Sequence, residues 1–445
     1  MDGASGQVTP PPPSPASRAP LGFGSLLALG INGIVGVGIF FAPHEVATAV
    51  PGWAGVAVYA AVALLLLPTG LVYARLGRAF PADGGPYLYA REAFGGKTAF
   101  AVGFTTYVSA LFSTSTVIVG LVENVTAPFG IVDGATRLVL ELTLLTIVSG
   151  ALSRGLRLSA MAWSAVTLLK ATPLVLLPLA ALFTSMPAHA EIPRGDAIAV
   201  PGLGVLTAAL PVLFALQGFE VVPLPAAQVH RPERNVPLAT ITALVFAVVL
   251  YMALHAACVY ALPDLAAHEL PLADAAGVYG GPFFARLVAA ATSASAFGIV
   301  IGFLAMTPRY LAPLGAPDAL GFDLDKLSAR AVPLRAFAVT YSVLFAILIA
   351  NAKWGSIKNL LALSSLSVTL QYTVTAASLF VLSTRGAAGL RRSDRWPAPF
   401  AVLSFVLFLL GSSRMEVPVL VGMIALGFLV RAIGQRARAT AAQRS

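Results

Sequence analysis

The chain has 445 residues, 58% hydrophobic and only 11% charged, with a formal net charge of +9 and a mean hydropathy of +0.86. A soluble domain carries roughly 25% charged residues to wet its surface, so this composition excludes an ordinary water-soluble globule and makes lipid the solvent for much of the exterior. The single cysteine, Cys258, excludes an intramolecular disulfide and reads as a packing residue inside a helix.

A helix needs about 20 mostly apolar residues to cross a bilayer. Residues 1–20 are polar and proline-rich and lack the charged-then-apolar order of a cleavable signal, so they read as a disordered cytoplasmic tail. Apolar runs then predict spans at 21–49, 53–79, 98–126, 135–152, 156–185, 203–229, 237–263, 280–307, 333–351, 355–383, 397–412 and 415–433. Runs of this length do not suit transmembrane barrel strands, which alternate over about 10 residues. The fold class is therefore all-α integral membrane, with about 12 transmembrane helices. With the first span entering from the cytoplasm, 21 of the 28 Lys and Arg residues fall on the cytoplasmic side. This is the positive-inside pattern, and it places both termini in the cytoplasm of a multi-pass cell-membrane protein. The basic balance then reports topology and contact with anionic lipid; no nucleic-acid partner is implied.

A spanning helix should be unbroken unless it lines a cavity, because unpaired backbone is costly in hydrocarbon. Two of the predicted spans look broken. The first contains Gly30-Ile31-Asn32-Gly33-Ile34-Val35-Gly36-Val37-Gly38, with Pro43 beyond; the sixth contains Phe214-Ala215-Leu216-Gln217-Gly218-Phe219-Glu220, followed by Pro223 and Pro225. Pro223 suits the first turn of a new half-helix. Interruptions five spans apart, in corresponding helices of two halves, point to a transporter's binding site. Half-helix N-termini favour a carboxylate, and freed carbonyls favour an ammonium. One pair of breaks thus fits a zwitterion. The plainer reading is that these glycines only let helices pack closely.

Two ionisable residues in the membrane stand out, Glu220 at the sixth-span break and Lys170 midway along the fifth span. Intramembrane charge is expensive, so each needs a partner, a cavity or a changed protonation state. Lys170 is a candidate for proton coupling or for a fixed cation in place of sodium; the alternative is snorkelling. Glu141, in the fourth span, is given no role, and His255, within a helix, reads first as packing.

At these residues the chain resembles the amino acid–polyamine–organocation transporter superfamily. The carrying motifs are 33–40 with Pro43, 214–220, the stretch His230-Arg231-Pro232-Glu233-Arg234-Asn235-Val236-Pro237, and Pro81-Ala82-Asp83-Gly84-Gly85-Pro86-Tyr87 with Arg91-Glu92-Ala93-Phe94-Gly95. The group it is most similar to is the arginine/agmatine-type and basic amino acid exchangers. The resemblance implies a leucine-transporter-type fold with discontinuous helices 1 and 6. A core at 21–383 would hold two inverted repeats, about 21–185 and 203–383, followed by two peripheral helices at 397–433 and a basic tail at 434–445. It implies that the substrate carboxylate meets main-chain N–H groups around Gly36, Val37 and Gly38. The ammonium would meet carbonyls near Ile34, Phe214 and Gln217, beside Ala215 and Gly218. Phe214 would close over the substrate, and Ser115 would line the pocket from the third helix. Tyr107, Glu220 and Tyr372 would form a cytoplasm-side gate, and Lys170 with Glu220 would couple transport. The chain departs from the pattern at Val37, where relatives often carry Ser or Thr, and around Gly298–Gly302, where the arginine exchangers have a tryptophan lid.

The expected function is secondary active transport of amino acids or related amines by alternating access, sodium-independent, as proton symport or exchange. No Walker-type phosphate loop is present, and no cofactor or metal is implied. A transporter-like sensor, and further off a membrane-embedded transferase, are the alternatives. The oligomeric state stays open between monomer and homodimer.

Overall fold

The computed structural model describes residues 21–36, 38–81, 85–126, 129–131, 133–154, 160–184, 202–223, 226, 229–315, 320, 322, 324, 326, 328, 332–411 and 416–442; the side chains of 160–170, 202–203, 411, 416, 439 and 441–442 are outside this description. The first span is two half-helices, α1 (Phe23–Ile34) and α2 (Gly38–Ala49). Next come α3 (Ala54–Ala79), α4 (Gly85–Phe94), α5 (Gly96–Thr126), α6 (Gly134–Ser153), α7 (Ala160–Leu182) and α8 (Gly202–Leu216). The second half holds α9 (Pro232–Ala261), α10 (Pro271–Leu311), α11 (Leu334–Trp354), α12 (Ile357–Arg385), α13 (Pro397–Gly411) and α14 (Glu416–Ala442).

Among the described residues, ten helices, or helix-plus-turn segments, are long and apolar enough to cross a membrane, and α1 with α2 pass together as one span bent by 44°. Of α7, in the place of the fifth predicted span, the described apolar part is Ala171–Leu182. This is a multi-pass all-α membrane protein. The spans sort by what surrounds them. α5 is buried through almost its entire apolar length, whereas the apolar stretches of α11 and α14 are mostly exposed, as suits a central helix against peripheral ones whose solvent is lipid.

Boundaries moved where local chemistry outweighed hydropathy. The stretch 85–94, which falls between the second and third predicted spans, is helical, because Pro86 pre-sets φ at its start and Tyr89, Ala90 and Ala93 bury one face. The eighth helix starts at Pro271 instead of 280. Gly280 and Gly281, ahead of Pro282, leave helical geometry, with Gly281 at φ 71, so an outer helical segment precedes the span proper. α9 likewise starts at Pro232, the first-turn position that tolerates proline.

Close approach on α3 organises the core. Its Gly55, Gly70 and Gly77 face His255, Leu244 and Val236 of α9, in antiparallel order. At the far end of α3, Arg75 and Arg78 lie 3.9 and 3.8 Å from Asp394, and Arg75 sits over the Trp396 ring at 5.1 Å. These contacts tie the connector between α12 and α13 to the same end.

Candidate functional site: the meeting of the first- and sixth-span breaks

The first span loses helical geometry after Ile34. Val35 still donates to the Ile31 carbonyl at 2.7 Å, but Gly36 donates only two residues back, to Ile34 at 2.7 Å. The sixth stops at Leu216, and Gly218 takes φ 117, ψ −17, a left-handed conformation that glycine adopts without steric penalty. A 3-10 turn, Phe219–Val221, follows. Beyond it the bonds run i to i+3, Ala226 to the Pro223 carbonyl at 3.2 Å and Val229 to Ala226 at 3.3 Å. Pro223 is thus in a string of tight turns, where a new half-helix was expected. With Pro225 two residues on, two amide donors are missing from this short stretch.

The two breaks touch each other main chain to main chain. A methyl group on Gly218 would overlap the Gly33 carbonyl, and one on Gly33 would lie 3.0 Å from the Gly218 carbonyl oxygen. A methyl on Gly38 would stand 2.7 Å from Ala215 Cα and 3.0 Å from the Phe214 ring. The N-terminus of α2 therefore abuts the C-terminus of α8. Helix geometry leaves the first N–H groups of one and the last carbonyls of the other without intrahelical partners. Their dipole ends are positive and negative respectively, so opposite partial charges face one small volume. Gly36, Gln217, Gly218 and Glu220 are half-buried there, and Gly33 is exposed.

Several proposed ligand groups already have partners. The Ile34 carbonyl accepts both the Gly36 N–H and the Tyr251 hydroxyl, the latter at 2.9 Å, which uses both lone pairs of that oxygen. The Phe214 carbonyl accepts the Gln217 N–H at 3.3 Å. Gln217 Nε2 donates to Ser365 Oγ at 3.4 Å, and Ser365 Oγ donates to the Leu210 carbonyl at 3.1 Å, so α12 braces the last turns of α8 and the first residue of the sixth-span break. Phe214 and Ala215 are buried against Gly38. Ser115 is fully buried, and its hydroxyl donates to the Leu111 carbonyl of its own helix at 3.0 Å.

Glu220 is tied down from two directions. Its Oε2 accepts the Gly218 N–H and the Tyr372 hydroxyl, each at 2.8 Å. Tyr372 packs on Phe219 at 5.3 Å between ring centroids, and Tyr73 of α3 stands edge-on to both, at 5.7 and 5.8 Å. The structure thus brings Glu220 and Tyr372 together. Tyr107, on α5, has its hydroxyl 3.3 Å from Thr340 Oγ1 of α11. Gln371 links the aromatic cluster to the scaffold, donating to the Tyr73 hydroxyl at 3.0 Å and accepting from Thr106 Oγ1 at 2.6 Å. Val37 and the side chain of Lys170 lie outside the described residues; the Lys170 backbone is in α7. Glu141 is buried on α6.

Tyr73, Tyr251 and Ser365 were missed in the sequence. All three act through long-range contacts and sit in unbroken helices, so neither glycine nor proline nor charge singles them out. No metal-binding cluster occurs among the described residues.

Comparison with known proteins agrees with this architecture. The chain is 24% identical over 381 residues to cationic amino acid transporter 3, mitochondrial, of Arabidopsis thaliana, covering 81% of this chain and 62% of that one. It is 25% identical over 383 residues to cationic amino acid transporter 4 of Homo sapiens, covering 80% and 58%. It is 26% identical over 245 residues to the methylthioribose transporter of Bacillus subtilis (strain 168), covering 51% and 52%. The chain spans about three-fifths of the length of the two cationic transporters. The amino acid permease family model matches residues 21–428. With two abutting breaks inside that matched stretch, the chain belongs to the amino acid permease family, within the amino acid–polyamine–organocation superfamily.

Proposed function

We propose that the protein is a secondary active transporter that moves an amino acid or related amine across the cell membrane by alternating access. The observation that carries the reading is the contact of Gly33 with Gly218 and of Gly38 with Ala215. It sets the positive end of one half-helix against the negative end of another, the arrangement a zwitterion would bridge. Family membership and relatives named as amino acid transporters support the same reading.

In this reading the substrate carboxylate is held at Gly36, Val37 and Gly38, and the ammonium by carbonyls at the α1 and α8 ends. Because the Ile34 oxygen already has two donors, the ammonium displaces one of them or binds nearer Phe214 and Gln217. Phe214 closes over the substrate from the outer half. Glu220 and Tyr372 form an inner latch, with Tyr107 further along α5. The core at 21–383 acts as two repeats, 21–185 and 203–383, and the helices within 397–433 are peripheral. Both termini are cytoplasmic. Lys170 replaces sodium and, with Glu220, couples transport to protons or exchange. Ser115 joins the pocket only if its hydroxyl leaves Leu111.

The test is counterflow in proteoliposomes with a panel of neutral and cationic amino acids and polyamines. Accelerated uptake of one or more of these into preloaded vesicles is expected. No flux and no ligand-induced thermal shift across the panel would end the transport reading. With a substrate in hand, Lys170→Ala is expected to reduce uptake at least about tenfold while the protein stays folded and inserted, given the expense of an intramembrane charge kept without a role.

A further inference from the structure

The contact between α3 and α9 buries a histidine that the transport reading leaves unused. His255 is fully buried, and neither Nδ1 nor Nε2 has a hydrogen-bond partner. Its ring centre lies 5.1 Å from that of Tyr59, at a 48° tilt. Tyr59 is also fully buried, and its hydroxyl likewise has no partner. Gly55 makes the room, since a methyl group there would overlap His255 Nε2. Close packing alone explains the glycine, as it does at Gly70 and Gly77. It does not explain a fully buried histidine and tyrosine whose three polar side-chain atoms no protein group matches, where leucine and phenylalanine would pack at lower free energy.

Connectivity adds a second observation. Tyr251 lies one turn from His255 on the same face of α9, and its hydroxyl reaches the Ile34 carbonyl at the first-span break, 2.9 Å away. His255 is therefore one residue removed from the candidate cradle. On the other side, Cys258 closes the turn by donating its thiol to the Pro271 carbonyl at 3.7 Å. Around the imidazole, α3 offers Tyr59, and α9 offers Tyr251 and Cys258, all neutral at neutral pH. Among other elements packed on α9, α10 brings Asp274 and Tyr279, which face Cys258 and the Ala257 carbonyl, and α2 brings His44 and Glu45. The turn after α8 brings Glu220 and α7 brings Lys170, the side chain of the latter outside the described residues. α1 and α8 carry no titratable side chain.

We propose that His255, paired with Tyr59, is a proton-binding site of the transport cycle, separate from the amino-acid cradle and joined to it through Tyr251. The proposal rests on the transport reading above. A neutral imidazole presents one donor and one acceptor nitrogen, and its protonated form presents two donors. When α2 and the outer end of α3 part, the acceptor nitrogen takes a proton from the outer solution, and one of the two N–H groups donates to the Tyr59 hydroxyl oxygen. When the charged ring gives up that proton later in the cycle, it returns to the neutral form, so one proton enters and one leaves per turn. Contact with water restores the solvation that a charged imidazole needs, so acid outside favours loading of the site.

The experiment uses the full chain in proteoliposomes, with a substrate identified by counterflow. It compares gradient-driven accumulation, about pH 5.5 outside and about pH 7.5 inside to bracket an imidazole, with counterflow at equal pH. The wild type is expected to accumulate substrate above equilibrium, and His255→Gln is expected to lower the ratio of accumulation to counterflow at least about tenfold, the scale of one proton's coupling. Tyr59→Phe, which removes a single oxygen, is expected to shift the pH of half-maximal accumulation by at least about half a unit; it also serves if the histidine variant does not fold. A wild type with counterflow but no gradient-driven accumulation overturns the proposal and leaves the transport reading standing. So does a His255→Gln protein with the wild-type ratio, or a Tyr59→Phe protein with the wild-type midpoint. Absence of counterflow in the wild type removes both.

Discussion

Two interfaces in this molecule are built from small polar or flexible residues, and they work in opposite ways. Where α1, α2 and α8 meet, the contact is backbone on backbone: Gly33 against Gly218, and Gly38 against Ala215. Between α5 and α12 it is hydroxyl on hydroxyl, with Ser113 and Ser364 sharing a bond at 2.7 Å and Ser109 reaching the Ser364 carbonyl at 3.4 Å. Around that seam Thr114, Ser115, Thr116, Ser367 and Thr369 each donate to the carbonyl four residues earlier in their own helix. Such back-bonding satisfies a hydroxyl locally and removes its donor from any ligand. A polar helix face in a membrane is therefore not by itself a binding surface. The broken spans, whose terminal N–H and carbonyl groups have no partner within the helix, are the better claimants.

The comparison can be broken most easily at Gly218. Gly218→Ala both forces a left-handed φ on a residue with a Cβ and drives that carbon into the Gly33 carbonyl. We expect a loss of at least about 2 kcal/mol in stability and uptake at or below about a hundredth of wild type, read as initial rates with thermal unfolding as the control. Uptake near wild type would mean that the breaks do not need this contact. Tyr372→Phe comes next. Removing the hydroxyl that holds Glu220 at 2.8 Å should cost about 1–2 kcal/mol locally and lower uptake about tenfold, with the split between KM and kcat reporting whether binding or gating suffers. An unchanged rate would show that Gly218 alone suffices to hold the carboxylate.

On the hydroxyl side the expected effects shrink. Ser364→Ala leaves Ser113 without its cross-helix partner and should cost about 1 kcal/mol of stability, measured in a denaturation series, with uptake within about threefold. Ser115→Ala should change stability by no more than about 0.5 kcal/mol and leave uptake near wild type. A tenfold loss there would show that the Ser115 hydroxyl leaves Leu111 for substrate, and the contrast between the two interfaces would fail at that position.

Much of this was legible in the residues themselves, because the governing effects are local. Roughly 20 apolar residues make a membrane span whatever surrounds them, and glycines and prolines interrupt a helix through their own φ preferences and missing donors. Hence both breaks lie where Gly30–Gly38 and Gln217–Pro225 predict them. The start of α10 at Pro271 and the helix at 85–94 were less legible, since they depend on burial of one face. Partnership was not legible in the residues themselves; the pairing of Glu220 with Tyr372 came only from the family resemblance. Nothing near Tyr73 in the chain announces that it stands against Tyr372, nearly 300 residues later, and nothing near Ile34 announces that Tyr251 occupies its carbonyl. A hydrogen bond or aromatic contact is decided by distances of a few ångströms between helices, and those distances exist only once the helices have packed.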